Sequence, residues 1–146
     1  MKHTTFTIAL VAMLFSCSKS NPDDPAREQA LTTGSWKLTA YATDNDKDGT
    51  YEENTFAMIA DCQKDNLFTF QSGGVLVQDE GPTKCGTNYP QSVNSTWSFL
   101  DNRSKLKWGT TTYQIEELTQ SSLILKTSVP YNVIFTVNIR AVYTKQ

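Results

Sequence analysis

Asp44-Asn45-Asp46-Lys47-Asp48-Gly49 places three carboxylates at alternate positions of a polar loop and ends on a glycine able to take φ > 0. Hard oxygen ligands gathered by one tight turn are the donor chemistry of a Ca2+ cage. A complete EF-hand loop also carries a bidentate Glu at its last position, and counting from Asp44 that position is Thr55, with Glu52 and Glu53 close by. The same pattern is that of a solvated Asx-rich turn. Asp44, Asp46 and Asp48 are therefore the candidate metal ligands, and Ca2+ is the one cofactor this sequence suggests.

The three cysteines divide by position. Leu14-Phe15-Ser16-Cys17 follows a short positive segment at Lys2 and His3 and an apolar run over 4–15. A small residue then precedes the cysteine, the pattern of a removable secretory signal of the bacterial lipoprotein kind. The run of about 12 residues is too short to cross a bilayer core as a helix, which takes about 20. Cys17 reads as the first mature residue, with lipid on its sulfur and its amine. The expected partner is then a membrane, and the expected location the cell envelope, on an outer-membrane leaflet left open. Cys62 and Cys85 remain as an even pair in a chain bound for an oxidising compartment, where a disulfide is the natural reading. A redox pair would want C-x-x-C, and a metal site would want a third soft ligand.

Loss of the signal removes His3, the only histidine. A mature chain without imidazole has no Ser-His or Cys-His nucleophile pair, so a non-enzyme is expected. Glu116 and Glu117 are neighbours on an expected strand, so they face opposite sides and offer no general acid/base pair. The net charge of -2 becomes one unit more negative when Lys2 leaves. No basic stripe for nucleic acid results.

These groups need a frame, and the chain from Gly34 onward supplies a β one. Mature length points to one domain, giving a signal over 1–16, a lipidated tether over 17–30 and a folded unit over 31–146. Ser18–Arg27 is polar with two prolines and reads as linker. Glu28–Thr33 reads as one helical turn covering the bottom of the domain. Eight strands are expected at about 35–42, 66–71, 74–79, 94–99, 104–108, 111–118, 122–128 and 132–143, from period-2 alternation between turn residues. Thr55–Asp61 is a short helical stretch after the first strand.

Alternation puts Trp36, Leu38 and Ala40 on one face of the first strand, and Lys37, Thr39 and Tyr41 on the other. Phe68, Phe70, Trp97, Phe99, Leu106, Trp108, Tyr113, Ile115, Leu123, Leu125, Val133, Phe135, Val137 and Ile139 continue the apolar face. One apolar and one wet face on an antiparallel meander imply a closed up-and-down barrel, which leaves no free edge.

Gly34-Ser35-Trp36 before the first strand, Asp61-Cys62-Gln63-Lys64-Asp65-Asn66 and, further on, Asp79-Glu80-Gly81-Pro82-Thr83-Lys84-Cys85 are the segments by which the chain resembles the small lipocalin-like lipoproteins of Bacteroidetes. The first is similar to the G-x-W that opens the first lipocalin strand. The two cysteine segments, with Phe68-Thr69-Phe70 and Thr96-Trp97-Ser98-Phe99, carry the closer likeness. The resemblance implies an all-β, eight-stranded calycin-type barrel with Cys62 bonded to Cys85. It also implies a basic residue of the last strand across Trp36. Arg140 is the candidate, although its parity opposes that of Val137 and Ile139.

A barrel of this size either fills itself with side chains or holds one small ligand. Trp36, Leu38, Phe68, Phe70, Trp97, Phe99, Trp108, Tyr113 and Phe135 are the residues that line or plug it. Two readings follow. The first is a lipid-anchored carrier of a small apolar or amphipathic molecule. The second is a filled scaffold that displays loops 43–54 and 81–93 to a protein partner of unknown kind.

Overall fold

A computed structural model describes residues 25–131 and 135–146. The signal, Cys17, the tether as far as residue 24, and Val133 lie outside the described residues. The order is α1 (Pro25–Thr32), β1 (Trp36–Asp44), β2 (Glu53–Asn54), a 3-10 turn (Thr55–Met58), α2 (Asp61–Lys64), β3 (Leu67–Gln71) and β4 (Val75–Asp79). Then come β5 (Ser92–Leu100), β6 (Lys105–Trp108), β7 (Thr111–Leu118), β8 (Ser122–Pro130) and β9 (Thr136–Lys145). All neighbours pair antiparallel, and β1 closes on β9. Eight strands make an up-and-down barrel, and the two-residue β2 is an extra rung on the far end of β1.

Closure is uneven. β1 runs beside β9 from Trp36↔Lys145 to Asp44↔Asn138, yet it meets β3 only at Trp36↔Phe68 and Lys37↔Leu67. Above that point the β1–β3 seam has no ladder. The 3-10 turn and α2 pack on β1 there, so the segment 55–66 acts as a lid over the seam.

Period 2 survives in most strands and fails at two bulges, each of which changes which side chains face inward. Between Leu38 and Ala40 the β1 register slips, so Tyr41 pairs with buried Ala141. Tyr41 therefore packs on the core, and Ala40 takes the opposite face. This corrects the alternation expected for β1. The second slip, between Ile115 and Glu117, restores Leu118 to the inner face opposite Leu123. Glu116 and Glu117 consequently share the outer face, contrary to expectation. There Glu116 binds Lys126 at 2.7 Å and Arg140 at 2.6 Å.

The end of the barrel where β1 begins is solid. Trp36, Phe70, Leu76, Leu106, Leu123 and Leu125 are fully buried there, with Leu31 of α1 inserted beneath them. Burying each Leu contributes about 1.5–3 kcal/mol. Phe70 meets the edges of Trp97 and Trp108 at 5.7 and 5.3 Å between centroids, as the ring quadrupole favours. Residues 25–30, assigned to the tether from sequence, are helix, and Ala30 is buried. The apolar pair Ala30-Leu31 explains why this stretch docks rather than remaining linker.

Trp36 ties the plug to the wall. Its Nε1 donates to the Leu31 carbonyl at 2.8 Å. Across its ring lies Lys145, 4.6 Å from the centroid, whose Nζ also donates to the Ala30 carbonyl at 2.7 Å. The basic residue over this tryptophan is thus Lys145, two residues beyond the expected strand end, and not Arg140. Arg140 points outward because it is out of phase with buried Ile139 and Ala141. Gly34 enters this corner with φ +76, and a Cβ there would press on Gln146 O and Lys145 Cγ at 3.3 Å. That is why the motif needs glycine.

Candidate functional site

The two cysteine motifs form one knot at the opposite end. Cys62 and Cys85 are bonded to each other, which fastens α2 to the β4–β5 loop. Asp65 Oδ2 accepts from the Thr83 amide at 2.9 Å, and Asp79 Oδ1 accepts from the Gly81 amide at 2.8 Å and Gln91 Nε2 at 3.0 Å. Buried Asn66 donates its amide to the Cys62 and Glu80 carbonyls, each at 3.1 Å, and accepts from Gln78 Nε2 at 3.2 Å. Gly81 sits at φ +68, where a Cβ would run into the Asp65 carbonyl. Each motif therefore supplies hydrogen-bond partners to the other. Together they hold the lid against the seam.

Between lid and barrel wall is an open cleft of about 370 Å3. Leu38, Tyr41 and Phe68 line it from the wall and Ile59 from the lid, with Gln63, Asn66 and Gln78 supplying its amides. Phe68 carries the aromatic surface inward: it lies 4.8 Å from Trp108 and 5.8 Å from Tyr143, both edge-on. Trp108 in turn contacts Tyr113 at 6.0 Å. A second cleft, of about 580 Å3, opens at the same end beside Thr43, Thr55, Met58, Tyr131, Phe135 and Val137.

These positions divide the residues expected to line or plug the barrel. Leu38 and Phe68 face the cleft under the lid, with Trp108 and Tyr113 behind Phe68. Trp36, Phe70 and Trp97 are solid core. Phe99 packs beside Trp97 at 5.5 Å, under the Arg103 guanidinium. Phe135 is not interior: it precedes the start of β9, is 62% exposed and belongs to the outer rim.

Tyr143 and Gln78 were not among the expected site residues, Tyr41 was expected on the opposite face, and Asn66 stood out only as part of its motif. Tyr143 has the parity of Ile139, and Gln78 that of buried Leu76, so both had a signal. Tyr41 had none, since only the bulge turns it inward.

The electrostatics of the interior are those of neutral groups. Burial pushes the Tyr143 hydroxyl well above the usual phenol range, with Tyr113 and Tyr41 adding to the shift. Burial and then Tyr113 raise Tyr41. Burial also raises Tyr113, against a hydrogen bond with Thr111. All three stay protonated at neutral pH and remain hydrogen-bond donors.

The acidic loop does gather its carboxylates: ligand atoms of Asp44, Asp46 and Asp48 lie within 4.8 Å of one another. Asp44 is fully buried. Its carboxylate accepts from the Lys47 amide at 2.6 Å, the Gly49 amide at 3.2 Å and Asn138 Nδ2 at 3.1 Å. Asp46 accepts from the Asp48 amide and Asp48 from the Thr50 amide. Thr55, at the position where a Ca2+ loop wants Glu, donates instead to the Tyr41 carbonyl at 3.3 Å. This is a self-capping turn that pins the β1–β2 hairpin to β9. Desolvation would raise the Asp44 pKa, but hydrogen bonds from Asn138, Lys47 and Gly49 outweigh it and hold the carboxyl below its ordinary value.

No curated protein matches the chain. Residues 32–125, more than half of it, match the model of the lipocalin-like domain. The matched stretch runs from the end of the plug through the lid and both cysteine motifs into β8. Its closed antiparallel barrel agrees with that match: the chain belongs to the lipocalin-like domain family.

Proposed function

We propose that this is a non-catalytic, lipid-anchored protein of the cell envelope that binds a small apolar or amphipathic molecule at the open end of its barrel. The observation that carries the binding reading is the pair of clefts at the open end, of about 580 and 370 Å3. Met58, Phe135 and Val137 wall the first and Leu38, Ile59 and Phe68 the second, with uncharged polar side chains beside them. Pockets of a few hundred Å3 with apolar walls and a few placed polar groups are the usual form of a small-molecule site. The envelope reading rests on the signal and Cys17, with outer-membrane anchorage its expected form.

Native mass spectrometry of protein purified from its host tests the binding reading. A stoichiometric small molecule should accompany the folded chain. Delipidated, empty protein that stays empty through exposure to host extracts would defeat it. For anchorage, Cys17→Ala should move the protein from the membrane fraction to the soluble envelope fraction, whereas unchanged partitioning would refute lipidation.

A second reading, a module that presents loops 43–54 and 81–93 to a partner, has Tyr89 in its favour, 60% exposed on the second loop. Alanine at Tyr89 should then abolish partner capture while leaving ligand binding intact.

A further inference from the structure

The barrel wall has a notch at its open end. β6 pairs with β5 only over Trp97–Leu100, and it turns into β7 at Gly109. β5 extends beyond that turn to Ser92, paired there with β4 alone. Across the notch the β7–β8 ladder stops at Gln114↔Lys126, and β8 continues to Pro130 paired with β9 alone. Above the β6–β7 turn, two strands each keep one edge that no strand among the described residues pairs with. A Cβ on Gly109, at the foot of the notch, would meet nothing within 4 Å.

Ladder geometry fixes which main-chain groups lie on those edges, because successive residues of an antiparallel strand aim both their groups to opposite sides. The Trp97 amide donates to the Gly74 carbonyl at 2.8 Å, and the Glu80 amide to the Gln91 carbonyl at 2.9 Å. Odd-numbered residues of β5 therefore face β4, and Ser92 and Asn94 each aim an amide and a carbonyl at the notch. Thr96, next along that edge, meets the turn, its carbonyl accepting from the Gly109 amide at 2.8 Å. Every residue of Ser92–Thr96 is exposed, so both faces of this stretch are wet.

Native strand edges are blunted by charge, proline, shortness or a cover, and the other edges here follow that rule. On β8 the Tyr131 amide donates to the Phe135 carbonyl at 2.8 Å, which turns Ser128 and Pro130 toward the notch, and Pro130 has no amide to offer. β2 is two residues long, and the segment 55–66 covers the seam beside β1. β5 is different. No charged residue occurs from Gly86 to Leu100, and the one proline there, Pro90, precedes the open stretch. Val93 and Tyr89, 47% and 60% exposed, instead place apolar surface beside it.

We propose that β5 captures an extended, uncharged segment of a partner protein, which adds as a strand along Ser92–Asn94 and lays an apolar side chain against Val93. Main-chain groups on an open edge give such strand addition its affinity, and alternate side chains give it selectivity. The edge itself sets the partner's character. A charged side chain in the added strand would lose hydration and meet no opposite charge on β5. This mode of capture rests on the reading of loop 81–93 as a displayed surface and supplies its mechanism. It leaves the clefts walled by Leu38, Phe68 and Val137 to a small ligand.

Amide hydrogen exchange on the mature protein, resolved by NMR, tests it in two stages. In the free protein the Ser92 and Asn94 amides should exchange fast, while those of Val93 and Ser95, which face β4, exchange slowly. Slow exchange at all four overturns the open edge. The probe is an acetylated, amidated Thr-Val-Thr-Val-Thr-Val peptide N-methylated at every second residue, which keeps one hydrogen-bonding edge and cannot self-assemble. It should slow Ser92 and Asn94 and leave the amides of 55–66 unchanged, whereas the same peptide methylated on every amide should not bind. Asn94→Pro removes one edge donor on the side away from β4 and should weaken the probe about tenfold, the worth of one hydrogen bond. Asn94→Lys keeps the backbone and adds the missing guard, so it should weaken the probe with thermal stability unchanged. Protection at other amides instead, or binding that survives both substitutions, overturns the proposal. So does a probe that fails to bind at about 1 mM, the weak end of specific affinity. Partner capture that still depends on Tyr89 would then leave the display reading standing without strand addition.

Discussion

Two side chains show how single residues set this fold's margins. Lys145 joins three parts of the closed end, since it covers the Trp36 ring, donates to Ala30 and crowds Gly34. Lys145→Met keeps much of the packing and removes the charge and the hydrogen bond. It should cost about 1–2 kcal/mol, read as a fall in denaturant midpoint. Arg140→Met, in a half-exposed outer network, should cost less than about 1 kcal/mol.

Asp44 carries a pH signature. Its carboxyl titrates below its ordinary 3.8 in the fold, so near that pH the unfolded chain binds more protons than the folded one. Stability from this group is present above about pH 4 and is lost as pH falls below 3.8 toward the folded value. Circular dichroism should therefore show native stability falling as pH drops below about 4, and Asp44→Asn, which carries no titrating carboxyl there, should flatten that slope. A steeper slope in Asp44→Asn would contradict the assignment.

At the scale of elements, the lid depends on the knot beneath it. Replacing Cys62 and Cys85 together by Ser should lower stability by about 3 kcal/mol on the chain-entropy account of a loop closed over 23 residues. The strand ladders do not run through this bond, so the barrel should persist while amides of residues 55–66 exchange faster with deuterium. Gly81→Ala attacks the same knot by another route, combining a left-handed backbone with a clash at Asp65, and should cost about 2 kcal/mol or more. If Gly81→Ala proves neutral, the two motifs do not interlock as described. The D-C-x-K-D-N and D-E-G-x-T-K-C segments are legible as a pair in the sequence alone, but their hydrogen bonds are not. Sequence names the donors and acceptors; only the fold says which of them meet.

For the molecule as a whole, the division into a solid base and an open top predicts separable effects. Leu31→Ala empties a fully buried site under the core and should cost about 2–5 kcal/mol. It should leave ligand occupancy at the open end, read by native mass spectrometry, nearly unchanged, because the clefts lined by Leu38, Phe68 and Val137 lie at the other end. Equal loss of stability and affinity would mean that the two ends are coupled.

Alternation with period two was enough to read the barrel, its antiparallel order and most of its inward residues. That pattern is local: each inward apolar residue marks its own strand, and eight such strands have few ways to close. The cysteine pair and the glycine before Trp36 were legible for the same reason, since their chemistry belongs to their type. Register was not legible. One inserted residue at Leu38–Ala40 turns Tyr41 inward, and nothing in the local pattern marks it, because the slip is set by pairing with β9. Which base covers Trp36, and which aromatics are core rather than wall, also followed from closure. Those choices depend on residues as far apart in sequence as Trp36 and Lys145, which only the completed barrel brings together.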